Sequence, residues 1–158
     1  MILRILTIAH VALSLVGIFS GFVVLFGLLT SRRLDGWTAV FLGSTAATTV
    51  TGFFFPFHKF LPSHGAGIVS GLALAVAILA RYGHHLEGAW RRTYTITAVI
   101  ALYLNVFVLI VQLFLKVPAL KAMAPTQTEP PFKVTQLVFL VLFVALGIFA
   151  TVRFRNEQ

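Results

Sequence analysis

The fold is decided by residues 5–29, ILTIAHVALSLVGIFSGFVVLFGLL, an apolar run that contains no Asp, Glu, Lys or Arg. A helix needs about 20 residues to cross a hydrocarbon core of roughly 30 Å. The run is longer than that requirement, and its few polar side chains are small or neutral at pH 7. It therefore predicts a membrane-spanning helix.

Further apolar runs of comparable length follow along the chain. They occupy residues 37–57, 65–82, 93–115 and 134–152. Each should form a helix, because a lone strand cannot satisfy its backbone hydrogen bonds in lipid. A membrane barrel would require short alternating strands, whereas these runs are continuous. The sequence predicts an all-α, polytopic bundle of five transmembrane helices, with residues 1–158 forming a single membrane domain.

The composition excludes a soluble globular domain, a nucleic-acid-binding surface and sites built on cysteine. Hydrophobic residues make up 59% of the chain and charged residues only 10%, against about 25% charged in an ordinary soluble domain. The net charge of +8 is spread singly and in pairs between apolar runs, which is typical of residues that flank membrane spans and not of a nucleic-acid surface. The absence of cysteine removes thiolate metal sites and thiol catalysis.

The connections between the runs contain proline and basic residues. Pro56, Lys59 and Pro62 disfavour a continuous helix through the second and third runs, because proline breaks helices and a mid-membrane lysine is costly. The connection at residues 116–133 is too polar and proline-rich to span. Residues 117–123 within it are expected to form a short amphipathic turn at the membrane interface.

The distribution of basic residues sets the expected orientation. One side carries the larger group: Arg32, Arg33, Arg81, Arg91, Arg92, Arg153 and Arg155. The other side carries Arg4, Lys59, Lys116, Lys121 and Lys133. Cytoplasmic loops are enriched in Lys and Arg, so the C-terminus is expected in the cytoplasm and the N-terminus outside.

Two connecting stretches carry a resemblance. Residues 51–65, TGFFFPFHKFLPSHG, and residues 117–132, VPALKAMAPTQTEPPF, resemble segments of small bacterial inner-membrane proteins. The resemblance implies that the chain resides in a bacterial inner membrane, and it implies no activity.

Small residues recur every four positions in three of the runs. The glycines that carry this pattern are Gly17, Gly21, Gly43, Gly67 and Gly71. Small residues let helix backbones approach closely in lipid, where apolar burial alone does not drive association. They are expected to pack helices within the bundle, or alternatively to form the seam of a homo-oligomer.

Polar side chains inside the spans define the candidate site. Intramembrane polar groups usually face the bundle interior, where they find partners. The five-span topology brings one group toward the N-terminal side of the membrane: His10, Thr51, His58, His64, Asn105 and Gln112. His10 is expected at the centre of this group, as a neutral imidazole hydrogen-bonded to Gln112 or to threonines of the second span.

Three interpretations of this group remain open. The histidines can relay protons or gate a polar path. They can instead only hold helices together, which would suit an accessory subunit of a larger membrane complex. A third alternative is a haem or a metal ion, for which His10 and His58 are the better pair, although no cofactor is predicted.

Enzyme chemistry is not expected. The acidic residues are Asp35, Glu87, Glu129 and Glu157, and none of them lies within a span or pairs with another. No nucleophile elbow, zinc-protease motif or phosphate-binding loop is present. The leading hypothesis is therefore a non-enzymatic membrane protein that handles an ion, a proton or a small solute, embedded in the lipid bilayer and able to form a homo-oligomer.

Overall fold

The computed structural model describes residues 1–56, 58–59 and 62–155, and regular structure in these ranges is helical. The helices are α1 (Ile2–Leu29), α2 (Asp35–Gly52), α3 (Pro62–Ile78), α4 (Trp90–Lys116), α5 (Pro118–Met123) and α6 (Pro130–Arg153). A π-helical turn, Leu79–Gly83, continues α3. The prediction of an all-α fold is confirmed.

Four segments of the described chain are long and apolar enough to cross a membrane: Ile2–Leu29, His64–Gly83, Trp90–Lys116 and Pro130–Arg153. These are α1, α3 with its π turn, α4 and α6, and they support membrane insertion. The predicted second span, α2, is not among them. It begins at Asp35 and is rich in threonine, so its mean hydropathy is lower than that of its neighbours.

The directions of the helices follow from contacts at the two ends of the bundle. At one end, Arg81 after α3 reaches Asp35 at the start of α2. At the same end, the backbone N–H of Arg155 after α6 donates to Ser31 after α1, at 2.9 Å. We call this the arginine-rich end. Helices α1, α3 and α6 therefore all end there, while α2 and α4 begin there.

Helices α1 and α2 form an antiparallel hairpin with close backbone approach. A Cβ atom at Gly17 would lie 3.0 Å from Thr45 Oγ1, and one at Gly21 would lie 2.9 Å from the Phe41 ring. The pairing continues to the N-terminal end of the bundle, where α1 begins, since His10 meets Thr51 there. Glycine at these positions lets α2 pack along α1 through its whole length.

Helix α4 lies at the centre of the bundle and contacts α1, α3, α5 and α6. Its inner face is a stripe of buried residues at four-residue spacing, namely Tyr94, Ala98, Leu102, Val106 and Ile110. Residues four apart lie on the same face of a helix, so this stripe provides the core of the bundle. Helix α6 is the least buried of the four apolar helices.

Two boundaries differ from the sequence-based expectation. The predicted second span ends at position 57, which lies outside the described residues, but the helix itself ends at Gly52. The reason is local, because Gly52 weakens the helix and Pro56 disfavours helical backbone in the residue before it. The aromatic residues Phe53 and Phe54 consequently form a turn and are exposed.

Candidate functional site

The hydrogen bond between His10 and Thr51 is the central polar contact of the N-terminal end. His10 Nδ1 lies 2.9 Å from Thr51 Oγ1. The Thr51 hydroxyl donates to the Ala47 carbonyl at 2.8 Å, and a hydroxyl has only one hydrogen to give. This geometry favours His10 as the donor through Nδ1–H. The lone pair of His10 Nε2 then remains able to accept a proton.

The end of α2 encloses the imidazole on two sides. The Phe55 ring packs edge-on against His10, with ring centroids 5.2 Å apart. A Cβ atom at Gly52 would lie 3.4 Å from His10 Cε1, so a larger residue there would press on the ring. His10 is therefore half-buried between α1 and the residues that end α2.

Polar groups continue from Thr51 along α2 toward the middle of the bundle. Thr48 and Thr49 each donate to the carbonyl four residues earlier, at 2.8 and 2.9 Å. One turn further, Asn105 Nδ2 on α4 donates to Thr45 Oγ1 at 3.4 Å. Together, His10, Thr51, Thr48, Thr45 and Asn105 define what we call the upper polar cluster. It lies where α1, α2 and α4 meet.

An apolar layer closes the upper polar cluster on its inner side. Phe41 and Leu102 are both about 1% exposed, and both lie against Gly21 of α1. The absence of a side chain at Gly21 lets the two larger side chains fill the space between α1, α2 and α4. These three residues have no polar side chain, so only their backbone groups could form hydrogen bonds within the layer.

A second polar cluster lies beyond this layer, at the arginine-rich end. Arg81 is only 3% exposed, and its Nη2 donates to Asp35 Oδ1 and, at 3.3 Å, to the Arg33 carbonyl. Its guanidinium lies 5.2 Å from the centroid of the Tyr94 ring, within cation–π range. We call Arg81, Asp35, Tyr94 and Thr38 the lower polar cluster.

The lower polar cluster retains polar atoms without a hydrogen-bond partner. Arg81 Nη1 and the Tyr94 hydroxyl are both buried and make no hydrogen bond of ordinary geometry within the described residues, although the Tyr94 hydroxyl lies beside Thr38 and Arg81. The Thr38 hydroxyl beside them donates to the Arg33 carbonyl at 3.2 Å.

The lower polar cluster is not predicted by the sequence patterns. They group Arg81 with the arginines of the loops and leave Asp35 without a partner. The available signal is the position of both residues, because Arg81 falls within the last turn of the predicted third span and Asp35 lies just before the predicted second span, on the same side. The π turn that carries Arg81 into the interior has no comparable sequence signal.

The structure joins some of the predicted site residues and leaves others apart. His10 and Thr51 are paired, whereas Asn105 meets Thr45 instead. Gln112 is half-buried on α4, and no hydrogen bond links it to His10. His58 is exposed beyond the end of α2, and His64 is half-buried near the start of α3.

The predicted packing glycines fall into two sets. A Cβ atom at Gly17, Gly21, Gly67 or Gly71 would meet a side chain of another helix or of the turn after α2. Gly43 differs, since a Cβ atom there would meet nothing within 4 Å. Gly43 consequently faces away from the rest of the chain.

In the part of the chain that the structure describes, no three His, Asp or Glu side chains lie together as a metal site would need. The side chains of Thr51 and Phe55 contact His10, and His58 lies exposed at the surface.

Comparisons with known proteins add no relative. No family model matches the sequence, and neither a curated protein nor a solved structure gives a significant match. The class that the fold defines is a helical protein with helices apolar enough to span a membrane.

Proposed function

We propose that this protein is a non-enzymatic membrane protein that moves protons or a small polar solute through the core formed by α1, α2 and α4. The observation that carries the proposal is the His10–Thr51 hydrogen bond, which holds a titratable side chain inside the first membrane-spanning helix. Ionisable residues at such positions commonly mark proton or solute pathways.

The two polar clusters supply entry points at opposite ends of this core. His10 lies at the entrance to the upper polar cluster, and the exposed carboxylate of Asp35 lies at the entrance to the lower polar cluster. The layer of Phe41 and Leu102 separates them. A protein of this design would pass its cargo when that layer rearranges, and would stay closed in the conformation described here.

The proposal includes α2 as the fifth span. Helices α1 and α3 both end at the arginine-rich end, so the chain between them must return to the N-terminal end, and α2 makes that return. Its 18 residues extend about 27 Å at 1.5 Å per residue. Its threonine hydroxyls donate to carbonyls of their own helix, which removes much of the cost of placing them in lipid.

Labelling of single cysteines tests the fifth span, and the natural absence of cysteine makes every label specific. Gly36→Cys lies at the start of α2 and Phe54→Cys lies just beyond its end. With five spans, a membrane-impermeant maleimide should reach the two positions from opposite sides. Labelling of both from one side would exclude α2 as a span. A C-terminal reporter fusion in a bacterial inner membrane tests the proposed cytoplasmic C-terminus.

Proton flux into liposomes tests the function directly. Protein reconstituted with an internal pH dye should dissipate an imposed pH gradient, and His10→Ala should lower the rate at least about tenfold, as expected for loss of a positioned proton carrier. Thr51→Val should give a smaller loss because the imidazole remains. His84→Ala is the matched control, since His84 stacks on Trp90 in the loop after α3. Equal flux for the wild type and His10→Ala would refute the proton pathway.

We propose that the partner of this protein is a second copy of the same chain. The outer face of α2 presents Ala39 and Gly43, small residues four positions apart that are both exposed in the single chain. Small residues at this spacing allow close approach of a second helix in lipid. Gly43→Leu should therefore shift the protein toward monomer in detergent, as measured by light scattering. A wild-type protein that remains monomeric at high concentration would contradict the homo-oligomer and favour a lone bundle.

A further inference from the structure

We propose that a groove between α4 and α6 binds one acyl chain of an anionic phospholipid, whose head group lies against Arg91 and Arg92. The groove opens on the outer side of the bundle, and none of its lining residues belongs to either polar cluster. It would therefore serve as a lipid site whether or not the core transports protons.

The groove has the size and lining of an acyl-chain site. Its volume is about 590 Å³, and its walls include Ile96, Ile100 and Val99 of α4 and Val144, Gly147 and Ile148 of α6. This volume lies within the range of about 300–1,000 Å³ that is usual for small-ligand sites. The side chains of Val144 and Ile148 remain 54% and 61% exposed, so the groove opens toward the surrounding bilayer.

The length of the groove also fits an extended hydrocarbon chain. On α6 the lining runs from Leu140 to Val152, which corresponds to about 18 Å along the helix axis. Gly147 lies between these ends, and a Cβ atom there would contact Val99 Cγ1 at 3.4 Å. Close approach of α4 and α6 at this level gives the groove a continuous floor.

Basic side chains stand at one mouth of the groove. Arg91 Nη1 lies 3.4 Å from the carbonyl of Thr151, which is a lining residue. Arg92 is exposed and precedes the lining residue Ile96 by one helical turn, on the same face. Basic sites between membrane helices favour anionic head groups, so the charge selects an anionic lipid as the occupant.

The nearby acids do not cancel this charge. Asp35 is engaged by Arg81 and by Arg33, whose Nε lies 3.4 Å away. Glu87 is exposed in the loop before α4, and within the described residues no ion pair joins it to Arg91 or Arg92. The mouth of the groove therefore keeps a net positive charge.

The Thr151 hydroxyl at this mouth does not need a polar ligand as its hydrogen-bond partner. Thr151 Oγ1 donates to the Gly147 carbonyl at 2.7 Å, so its hydrogen is already used within α6. The lining is otherwise composed of aliphatic side chains, Phe143 and Tyr103. An acyl chain matches this surface better than a hydrophilic ligand does.

Native mass spectrometry of the full chain in detergent tests the site, with phosphatidylglycerol and phosphatidylcholine of identical acyl chains as probes. We expect the wild type to retain phosphatidylglycerol better than phosphatidylcholine, by about fivefold for each arginine that contacts the head group. Arg92→Gln should lower this preference by about fivefold without altering retention of phosphatidylcholine. A wild type that binds both lipids equally would overturn the head-group assignment.

A variant that fills the groove tests the acyl-chain assignment. Val144→Trp should reduce retention of both lipids about tenfold by occupying apolar surface. Leu142→Trp is the matched control, because Leu142 is similarly exposed but is not a lining residue and lies on the other side of α6. Equal lipid retention by Val144→Trp and the wild type would overturn the proposal. So would loss of a dimer in Val144→Trp with lipid retention unchanged, since a second copy would then be the occupant.

Discussion

Arg81 is a basic side chain placed among buried residues, near the end of a segment that is long and apolar enough to cross a membrane. A buried charge is tolerated when it is paired and hydrogen-bonded, and removing one partner leaves it uncompensated. Asp35 and the Arg33 carbonyl provide the pairing, and the Tyr94 ring covers the guanidinium. Because the Asp35 side chain is 72% exposed, the pair is only half buried and its loss should be moderate.

Replacing the carboxylate of this pair should destabilise the bundle. We expect Asp35→Asn to lower the free energy of unfolding by about 1–3 kcal/mol, since a buried donor then lacks its charged acceptor. Thermal unfolding in detergent measures the effect. The double variant Asp35→Asn with Arg81→Met should recover part of the loss, because no buried charge remains. A double variant less stable than either single variant would contradict this account.

The residue contacts show where prediction from the sequence stops. The pairing of His10 with a threonine of α2 follows from the position of each residue along its apolar run and from helix direction, both of which hydropathy predicts. Hydropathy does not predict how each helix is rotated about its own axis. Gln112 was therefore expected beside His10, while the structure shows no hydrogen bond between them, and Asn105 meets Thr45 instead.

At the scale of the elements, α2 depends on glycines of α1 for its position. A Cβ atom at Gly21 would lie 2.5 Å from Leu102 Cδ1 and 2.9 Å from the Phe41 ring. Gly43 on α2 has open space around it. The same substitution at these two positions therefore separates packing from helix propensity.

Gly21→Ala should destabilise the fold by about 1–2 kcal/mol, because an extra methyl group overpacks the contact of α1 with α2 and α4. Gly43→Ala should be neutral or stabilising by up to about 1 kcal/mol, since alanine favours helix. Denaturation followed by circular dichroism in detergent gives both values. A larger loss for Gly43→Ala than for Gly21→Ala would contradict this account, since it would mean that the proposed second copy packs against Gly43 too closely to admit a methyl group.

The connection before α6 contains a carboxylate held by local hydrogen bonds. Thr126 Oγ1 donates to Glu129 Oε1 at 2.7 Å, and the backbone N–H groups of Thr126 and Thr128 also donate to this carboxylate. The hydrogen bond from the Thr126 side chain, followed by the backbone bonds, lowers the pKa of Glu129 below its ordinary value of 4.5. The bonds favour the charged form.

A lowered pKa in the folded state means that the turn is stabilised above the unfolded pKa and loses that stabilisation as the pH falls through the folded pKa. We therefore expect the turn to loosen only below pH 4.5. Thr126→Val should move the pKa of Glu129 upward, as measured from the carboxyl ¹³C shift during titration. Thr128→Val should have less effect, because Thr128 reaches the carboxylate through its backbone. An unchanged midpoint in Thr126→Val would contradict the assignment.

At the scale of the whole molecule, hydropathy predicts the elements better than their arrangement. The four most apolar helices lie where their runs predict them, because the length and apolarity needed to cross lipid are properties of a single segment. The placement of α4 at the centre and of α6 at the edge depends on side-chain fit between segments. No periodicity in one segment reports that fit, so the grooves and clusters appear only in the folded bundle.

The modest apolarity of α2 has a consequence for biosynthesis. Insertion by the translocon responds to the hydrophobicity of each segment as it emerges, and α2 offers an aspartate and several hydroxyls in place of a strongly apolar stretch. In the proposed five-span arrangement, α2 would enter the bilayer with α1 as a preformed hairpin, packed closely against α1 at Gly17 and Gly21. Bulky side chains at both Gly17 and Gly21, unlike a single alanine, would then leave α2 outside the membrane during synthesis and invert the segments that follow.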